Sequence, residues 1–407
     1  MAIKAGQILH VGNDFLVDRI QSAGAGSVNV NTERIEELGN YQAVATIRDI
    51  PDLSFEMETF DMGTEIHELL FNAAPGDAAG TKYDAEIDVA PMDVISPFKG
   101  EGLFTTVRGL IIPYLNVESL AYNFSLDNPG ALTVGLRGDA IYYVPGSVYR
   151  EAFVGDGIAT IFTFGAGTGG VAGPALSTVI DGVTTYVLGA MTEDTTTTPS
   201  TWTRLRTITD YTQTSTTIDF TATYPATTNM WVLYGNAAAA TYAQGVHKAV
   251  AAATPAAVKG RYVEVQLGAA QDKWFGVQSA SMEWRATLER DEEFDNPFVV
   301  DQDFDVPDVT GTITMKAATA AALFDQILDA HGITSPAIVN AVTDPPELDL
   351  RLVVKSPTDG TTIQTLRVPD AQFDPEAISG QVGNKLEVDF AFTSAGGDLD
   401  IYKGAVP

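Results

Sequence analysis

Apolar and polar residues alternate in short stretches near both ends of the chain. Leu53, Phe55 and Met57 fall on one parity, and Ser54, Glu56 and Glu58 on the other. Val309, Ile313 and Met315 stand in the same way against Thr310, Thr312 and Thr314. Leu132, Val134 and Leu136 form another such run, as do Leu386, Val388, Phe390 and Phe392. A period of two predicts strands with one buried face. Two stretches follow a helical period instead: Ile66, Leu69 and Leu70, and Phe324, Ile327 and Leu328, each at i, i+3, i+4. Thr319 is placed to cap the second helix and Gly332 to end it. Each end of the chain therefore predicts several strands, one helix and then more strands: an antiparallel sheet or sandwich with a single covering helix.

The two ends also share residues. ERIEELGNYQAVATIRDIPD (33–52) lies over ERDEEFDNPFVVDQDFDVPD (289–308) at an offset of 256, with nine of twenty positions identical. The identities include Glu33/Glu289, Arg34/Arg290, Glu36/Glu292, Glu37/Glu293, Pro51/Pro307 and Asp52/Asp308. Upstream, IQSA (20–23) matches VQSA (277–280) one residue out of that offset, and downstream Pro113 matches Pro369. The chain reads as a duplicated β-rich unit, residues 1–147 and 261–407.

Between the copies the composition changes. Residues 148–244 are rich in Thr, Gly and Ala, and runs such as TIFTF, STVI, TTYVL, TTIDFTA and MWVLYG are separated by turn residues. They predict a small all-β module, Ig-like or similar. An Ala-rich connector, 245–260, is expected to join it to the second copy, with some helix in its Ala runs.

Charge follows the same division. The net charge is −30. Residues 1–147 hold 21 acids and 8 bases, residues 148–252 hold 7 and 4, and residues 253–407 hold 25 and 11. The acidity belongs to the two outer thirds. A basic face for gripping phosphate is not expected. There is no cysteine, which excludes disulfides, thiolate metal sites and cysteine nucleophiles. Neither a secretory signal nor an apolar run of membrane-spanning length is visible, so folding in a cytoplasm is expected.

Candidate chemistry is sparse. His10, His67, His247 and His331 lack metal-ligand spacing. DQDFDVPD (301–308) opens like a calcium loop but has Val306 in place of the turn glycine and Thr312 in place of the bidentate glutamate, so a charged, solvated loop is expected. GAGTGG (165–170) satisfies G-x-G-x-x-G in a β-rich context with no helix signal after it. No catalytic residue, metal or cofactor is expected, and an enzyme is the least favoured reading.

At the repeat, the chain resembles a bacteriophage major tail tube protein. The alternating strands, the helices at TEIHELLFN and TAAALFDQILD, and the charged stretch before IPDL and VPDV carry the likeness. The resemblance implies two β-sandwich or barrel-like domains, each with one flanking helix. It implies six such domains per ring, stacked rings, and a hollow β-tube that conducts the genome into the host. With two domains per chain, it implies a trimeric ring with pseudo-sixfold symmetry. The implied partners are the chain itself, other tail proteins such as the tape measure and tail ends, and phage DNA passing without specific binding. The implied location is the virion, after assembly in the bacterial cytoplasm. The family's long inter-subunit loop falls on 33–50 and 289–306, which makes Glu33, Arg34, Glu36, Glu37, Glu289, Arg290, Glu292 and Glu293 the implied assembly residues; an exposed acidic turn kept from duplication stays open beside that. FVGDGIATIFTF also resembles the opening of small β-modules in tail and fibre proteins, implying a decoration outside the tube.

Two other readings compete. One is a tail-terminator or baseplate component. The other is a carbohydrate-binding β-protein that stacks sugars on Trp202, Tyr211, Trp231 and Tyr234.

Overall fold

The computed structural model describes residues 9–11, 16–17, 20–29, 32–35, 45–48, 52–63, 67, 79–84, 92–98, 108–139, 142–144, 147–164, 186–196, 201–205, 209–214, 217–236, 257–268, 271–291, 301–304, 306–316, 347–374, 378–379 and 387–407. These are mainly antiparallel β-strand.

The first outer region contributes β1 (Leu9–Val11), β2 (Leu16–Val17), β3 (Ile20–Asn29), β4 (Thr32–Ile35), β5 (Ala45–Arg48), β6 (Asp52–Thr59), β7 (Lys82–Asp84), β8 (Met92–Phe98), β9 (Arg108–Ser125), β10 (Ala131–Gly138) and β11 (Tyr142–Val144). β2, β1, β8, the first half of β9 and β11 form one sheet. β3, β6, β10 and the second half of β9 form another. At 18 residues, β9 is about three times an ordinary strand, long enough to belong to both sheets.

The middle region contributes β12 (Ser147–Val154), β13 (Ile161–Thr163), β14 (Tyr186–Asp194), β15 (Thr201–Leu205), β16 (Tyr211–Gln213), β17 (Thr217–Phe220) and β18 (Thr228–Asn236). They make a four-stranded sheet, β12-β18-β14-β15, and a three-stranded one, β13-β17-β16. Phe153, Phe164, Leu205, Tyr211, Ile218, Phe220, Met230, Val232 and Tyr234 pack together as a core separate from the rest of the chain. The GDG of the middle region is a structural turn. Asp156 accepts hydrogen bonds from the backbone N–H groups of Ile158 (2.8 Å) and Ala159 (2.6 Å). Gly157 has φ +76°, and a Cβ at Gly155 would lie 2.3 Å from the Tyr224 and Pro225 carbonyl oxygens.

The last region contributes β19 (Val263–Leu267), β20 (Asp272–Lys273), β21 (Val277–Arg285), β22 (Leu288–Asp291), β23 (Asp301–Phe304), β24 (Asp308–Lys316), β25 (Leu348–Lys355), β26 (Thr362–Asp374), β27 (Ile378–Ser379), β28 (Glu387–Ser394) and β29 (Asp400–Lys403). The pairing among β21, β24, β25, β26, β27 and β28 repeats that of the first region residue by residue, while β20 and β29 sit in shifted register. Met57 opposite Val134 recurs as Ile313 opposite Phe390, and Val117 opposite Leu136 as Phe373 opposite Phe392. Tyr122 opposite Leu132 recurs as Ile378 opposite Val388, so β26 and β27 together take the place of β9. Ile112 opposite Val94 recurs as Val368 opposite Leu350, and the bulge just before it recurs too. Each of these partners lies 256 residues on.

The one-residue slip at IQSA/VQSA has a physical cause. β3 carries a bulge between Ala25 and Ser27 that β21 lacks. Gly26 is the extra residue, and the offset is 257 before it and 256 after it.

The alternation read from sequence is the burial pattern of the sheets. Leu53, Phe55, Met57, Leu132, Val134, Leu136, Val309, Ile313, Met315, Val388, Phe390 and Phe392 are buried in one continuous core shared by both outer regions. Ser54, Glu56, Thr310, Thr312 and Thr314 lie on the other face, exposed or partly exposed. The expected helix at 319–332 lies outside the described residues. Of the first one only His67 is described; its backbone is helical and its side chain buried. The Ala-rich runs before residue 257 and the GAGTGG motif also lie outside them. The end of the expected connector is fixed: Gly130 N–H donates to the Val258 carbonyl at 2.6 Å, and Val258 is buried.

Candidate functional site

The two outer regions meet at a junction of paired strands. β9 pairs on its open side with β21, from Ser125 opposite Ser279 to Ser119 opposite Arg285. This joins β3-β6-β10-β9 to β21-β24-β28-β27 in one eight-stranded antiparallel sheet. A second contact acts alongside it. β7 pairs with β29, Tyr83 lying opposite Ile401. Lys82 bonds the Asp400 carboxylate at 2.7 Å, and Arg367 reaches the same carboxylate at 3.3 Å and Asp349 at 2.9 Å.

The junction places one unit beside its repeat by a step that is not self-closing. The C-terminal half of β9 in the first unit meets the β3 counterpart of the second. Among the described residues, β3 itself pairs only with β6, and β27 only with β28. The eight-stranded sheet therefore ends in the same two kinds of strand that are joined at its middle. Open edges of this kind are templates for another chain, and a head-to-tail contact of this kind generates rings or filaments.

The outward face of this sheet is slim and polar. Ser119, Ala121, Ser281, Thr310, Thr312 and Ala391 alternate with the buried core, and Glu56, Glu58, Glu283, Glu387 and Asp389 project among them. The bases of these strands on that face are Arg137, Arg285 and Lys316, and Arg137 is engaged by Asp52.

The implied assembly residues separate into two groups. The stretches expected to be loops contain hairpins. β4 pairs with β5 through Glu33 opposite Ile47 and Arg34 opposite Thr46. β22 pairs with β23 through Glu289 opposite Asp303 and Arg290 opposite Gln302. Residues 301–304, expected as a solvated loop, are thus a strand: charged side chains are compatible with a two-stranded ribbon whose backbone bonds are satisfied, and Leu288, paired with Phe304 at its base, is buried. Glu289 is exposed. Glu36, Glu37, Glu292 and Glu293 lie outside the described residues.

Arg290 bridges the two units. Its Nη1 lies 3.6 Å from Asp52 Oδ1, and only 13% of its side chain is exposed. Asp52 also accepts two bonds from Arg137, Nε to Oδ1 at 2.8 Å and Nη2 to Oδ2 at 3.0 Å. The Arg137 bonds, with Arg290 adding its field, hold the Asp52 carboxyl below the usual carboxylate range despite partial burial. Sequence reasoning found Arg290 but missed its partners. The Asp52/Asp308 identity was the available signal; Arg137 had none, because it reaches Asp52 only through strand pairing.

The middle region is tied to the first unit by a buried ion pair, Arg204 Nη1 with Asp139 Oδ2, their side chains 7% and 0% exposed. Of the aromatic residues considered for sugar stacking, Tyr211 and Tyr234 are buried, and the Tyr234 hydroxyl donates to Glu151 at 2.9 Å. Trp231 donates its indole N–H to Glu193 at 2.9 Å. The Trp202 side chain lies outside the description. Among the described residues no group of three or more His, Asp or Glu is arranged to hold a metal ion, and no helix is long and apolar enough to cross a membrane.

Neither a model of a known protein family nor a curated protein matches the chain.

Proposed function

We propose that this chain is a structural subunit that polymerises head to tail into the hollow tail tube of a bacteriophage, three chains completing a ring of six repeated units. The observation that carries the reading is the in-chain junction, which joins the two repeats and leaves matching strand edges at both ends of the sheet. Repeating one step until it closes consumes every edge and removes the aggregation hazard that they pose.

The polar sheet face supports the conduit role. Short hydroxyl and methyl side chains, with more carboxylates than bases among them, offer phosphate few cations to release counterions against, so DNA would slide rather than bind. The middle region, with its own core and its tether to one unit, serves as a decoration on the outside. Ile158 in its turn is 82% exposed and Ile161 at the start of β13 is 59% exposed.

Negative-stain and cryo-electron microscopy of the purified chain test the reading. Hollow filaments of stacked rings with three chains each are expected. A monomer that makes no rings at micromolar concentration would overturn it. Single unstacked rings would transfer the chain to a tube-terminating role.

A further inference from the structure

We infer that Arg34 of one chain docks on Asp308 of the next, repeating between chains the contact that Arg290 and Asp52 make within one. The inference rests on the head-to-tail step of the tube reading and supplies a partner residue for each side of it.

All four pairs of β4–β5 recur in β22–β23 256 residues on, so Arg34 and Arg290 occupy the same backbone position. Arg290 uses that position to reach back across the junction to Asp52 of the preceding unit. Asp52 and Asp308 also match: Asp52 lies opposite Asn29 at the end of β3–β6, and Asp308 opposite Arg285 at the end of β21–β24. The step that carries the first unit onto the second carries the second onto the first unit of a following chain. It brings the next chain's β3 against β27, with Gly24 opposite Ser379 and Ala25 opposite Ile378. The same step brings its Arg34 over Asp308.

The surroundings of Asp308 strengthen the case. Asp308 is exposed and makes no ion pair among the described residues. Arg137, which holds Asp52 from within the first unit, is replaced at the matching position of β28 by Thr393. Arg285 is its cross-strand neighbour but is not within ion-pair distance. Asp52 is thus served by an arginine of its own unit as well as by Arg290, whereas among the described residues Asp308 has no arginine of its own unit within ion-pair distance.

A charge exchange in the full-length chain tests this. The critical concentration for assembly is measured by sedimentation for the wild type, Arg34→Glu, Asp308→Arg and the two combined. Each single change should raise it about tenfold or more, and the combination should return it to within about threefold of wild type. Circular dichroism melting of each unassembled chain checks folding, and Asp308→Asn replaces Asp308→Arg if the latter does not fold; it should raise the critical concentration too. Wild-type assembly in the single variants, or a combination no better than either, overturns the clasp. Hollow three-chain rings indifferent to all variants would sink the clasp and leave the tube reading intact. Oligomers rescued by the exchange but never forming hollow rings would sink the tube reading and keep the clasp. A wild-type chain that never assembles overturns both.

Discussion

The described sheet strands of the two outer units pair alike but carry different side chains, and some of the differences compensate across strand pairs. On the buried face, Phe55 opposite Leu136 in the first unit becomes Gly311 opposite Phe392 in the second. The aromatic ring changes strands and the gap is filled from the other side. On the polar face, Glu58 opposite Thr133 becomes Thr314 opposite Asp389. The carboxylate also changes strands while the pair keeps one acid. What duplication conserves in these two pairs is the content of the cross-strand pair, which is the unit of sheet energetics, rather than the residue at each position. The places where compensation fails are informative. Arg137 has become Thr393 and Asp139 is matched by Ala395, 256 residues on, so the first unit keeps an internal clamp and a module tether that the second lacks.

The tether should show the largest effect. Arg204→Met removes the cation buried against the Asp139 carboxylate. A loss of about 3–5 kcal/mol is expected, read in urea unfolding together with faster proteolysis of the middle region. The matching substitution Ala395→Asp in the second unit should not recruit the module.

Acid should also act on the first unit through His67, at a pH above the range where the lowered carboxyls of both units begin to protonate. Burial pushes the His67 pKa down to about 4, and its Nε2 shares a 2.6 Å hydrogen bond with the Tyr122 hydroxyl. Between pH 6.5 and about 4 the unfolded chain binds a proton here that the folded chain does not. Stability contributed by neutral His67 is therefore full above 6.5 and is lost as the pH falls through this window, by up to about 3 kcal/mol. The counterpart of Tyr122 is Ile378, which cannot share such a bond. Unfolding measured against pH should show the slope in the wild type, and His67→Leu should remove it.

Two glycines separate the units more finely. A Cβ at Gly311 would meet Phe392 Cζ at 2.3 Å and the Ser281 carbonyl oxygen at 2.4 Å. Gly311→Ala should cost about 1–3 kcal/mol by thermal unfolding. At Gly135 the contact is the Ser119 hydroxyl at 2.4 Å, which can rotate away, and the counterpart is already Ala391. Gly135→Ala should change stability by less than about 0.5 kcal/mol. The smallest effect is expected for Glu58→Thr combined with Thr133→Asp, which gives the first unit the second unit's arrangement. It should stay within about 0.5 kcal/mol of wild type, while Glu58→Thr alone should lower the acidity of the face without rescue.

These exchanges also explain how far the sequence could be read. Alternation located β6, β10, β24 and β28 and assigned their buried faces correctly, because burial on one face imposes a period of two on each strand separately. The charged segments at 33–52 and 289–308 kept their identities and revealed the offset. The strands between them did not, since a residue that trades places with its partner across a pair erases the match at both positions. Gly26 added a one-residue slip that only the bulge in β3 accounts for. The hairpins at β4–β5 and β22–β23 were expected as loops because charged ribbons lack an apolar period. Arg290 was found as a member of a repeated segment, but its contact with Asp52 depends on the β9–β21 junction, which pairs residues more than 150 positions apart and leaves no local signal.

A cryo-electron microscopy map of the assembled chain, at a resolution that traces strands, tests the head-to-tail step itself. A closed ring of three chains is expected, in which β27 of each chain pairs with β3 of the next, Ser379 opposite Gly24, in the geometry of the β9–β21 junction. A ring of six chains, or an assembly in which β3 and β27 remain unpaired with each other, would contradict it.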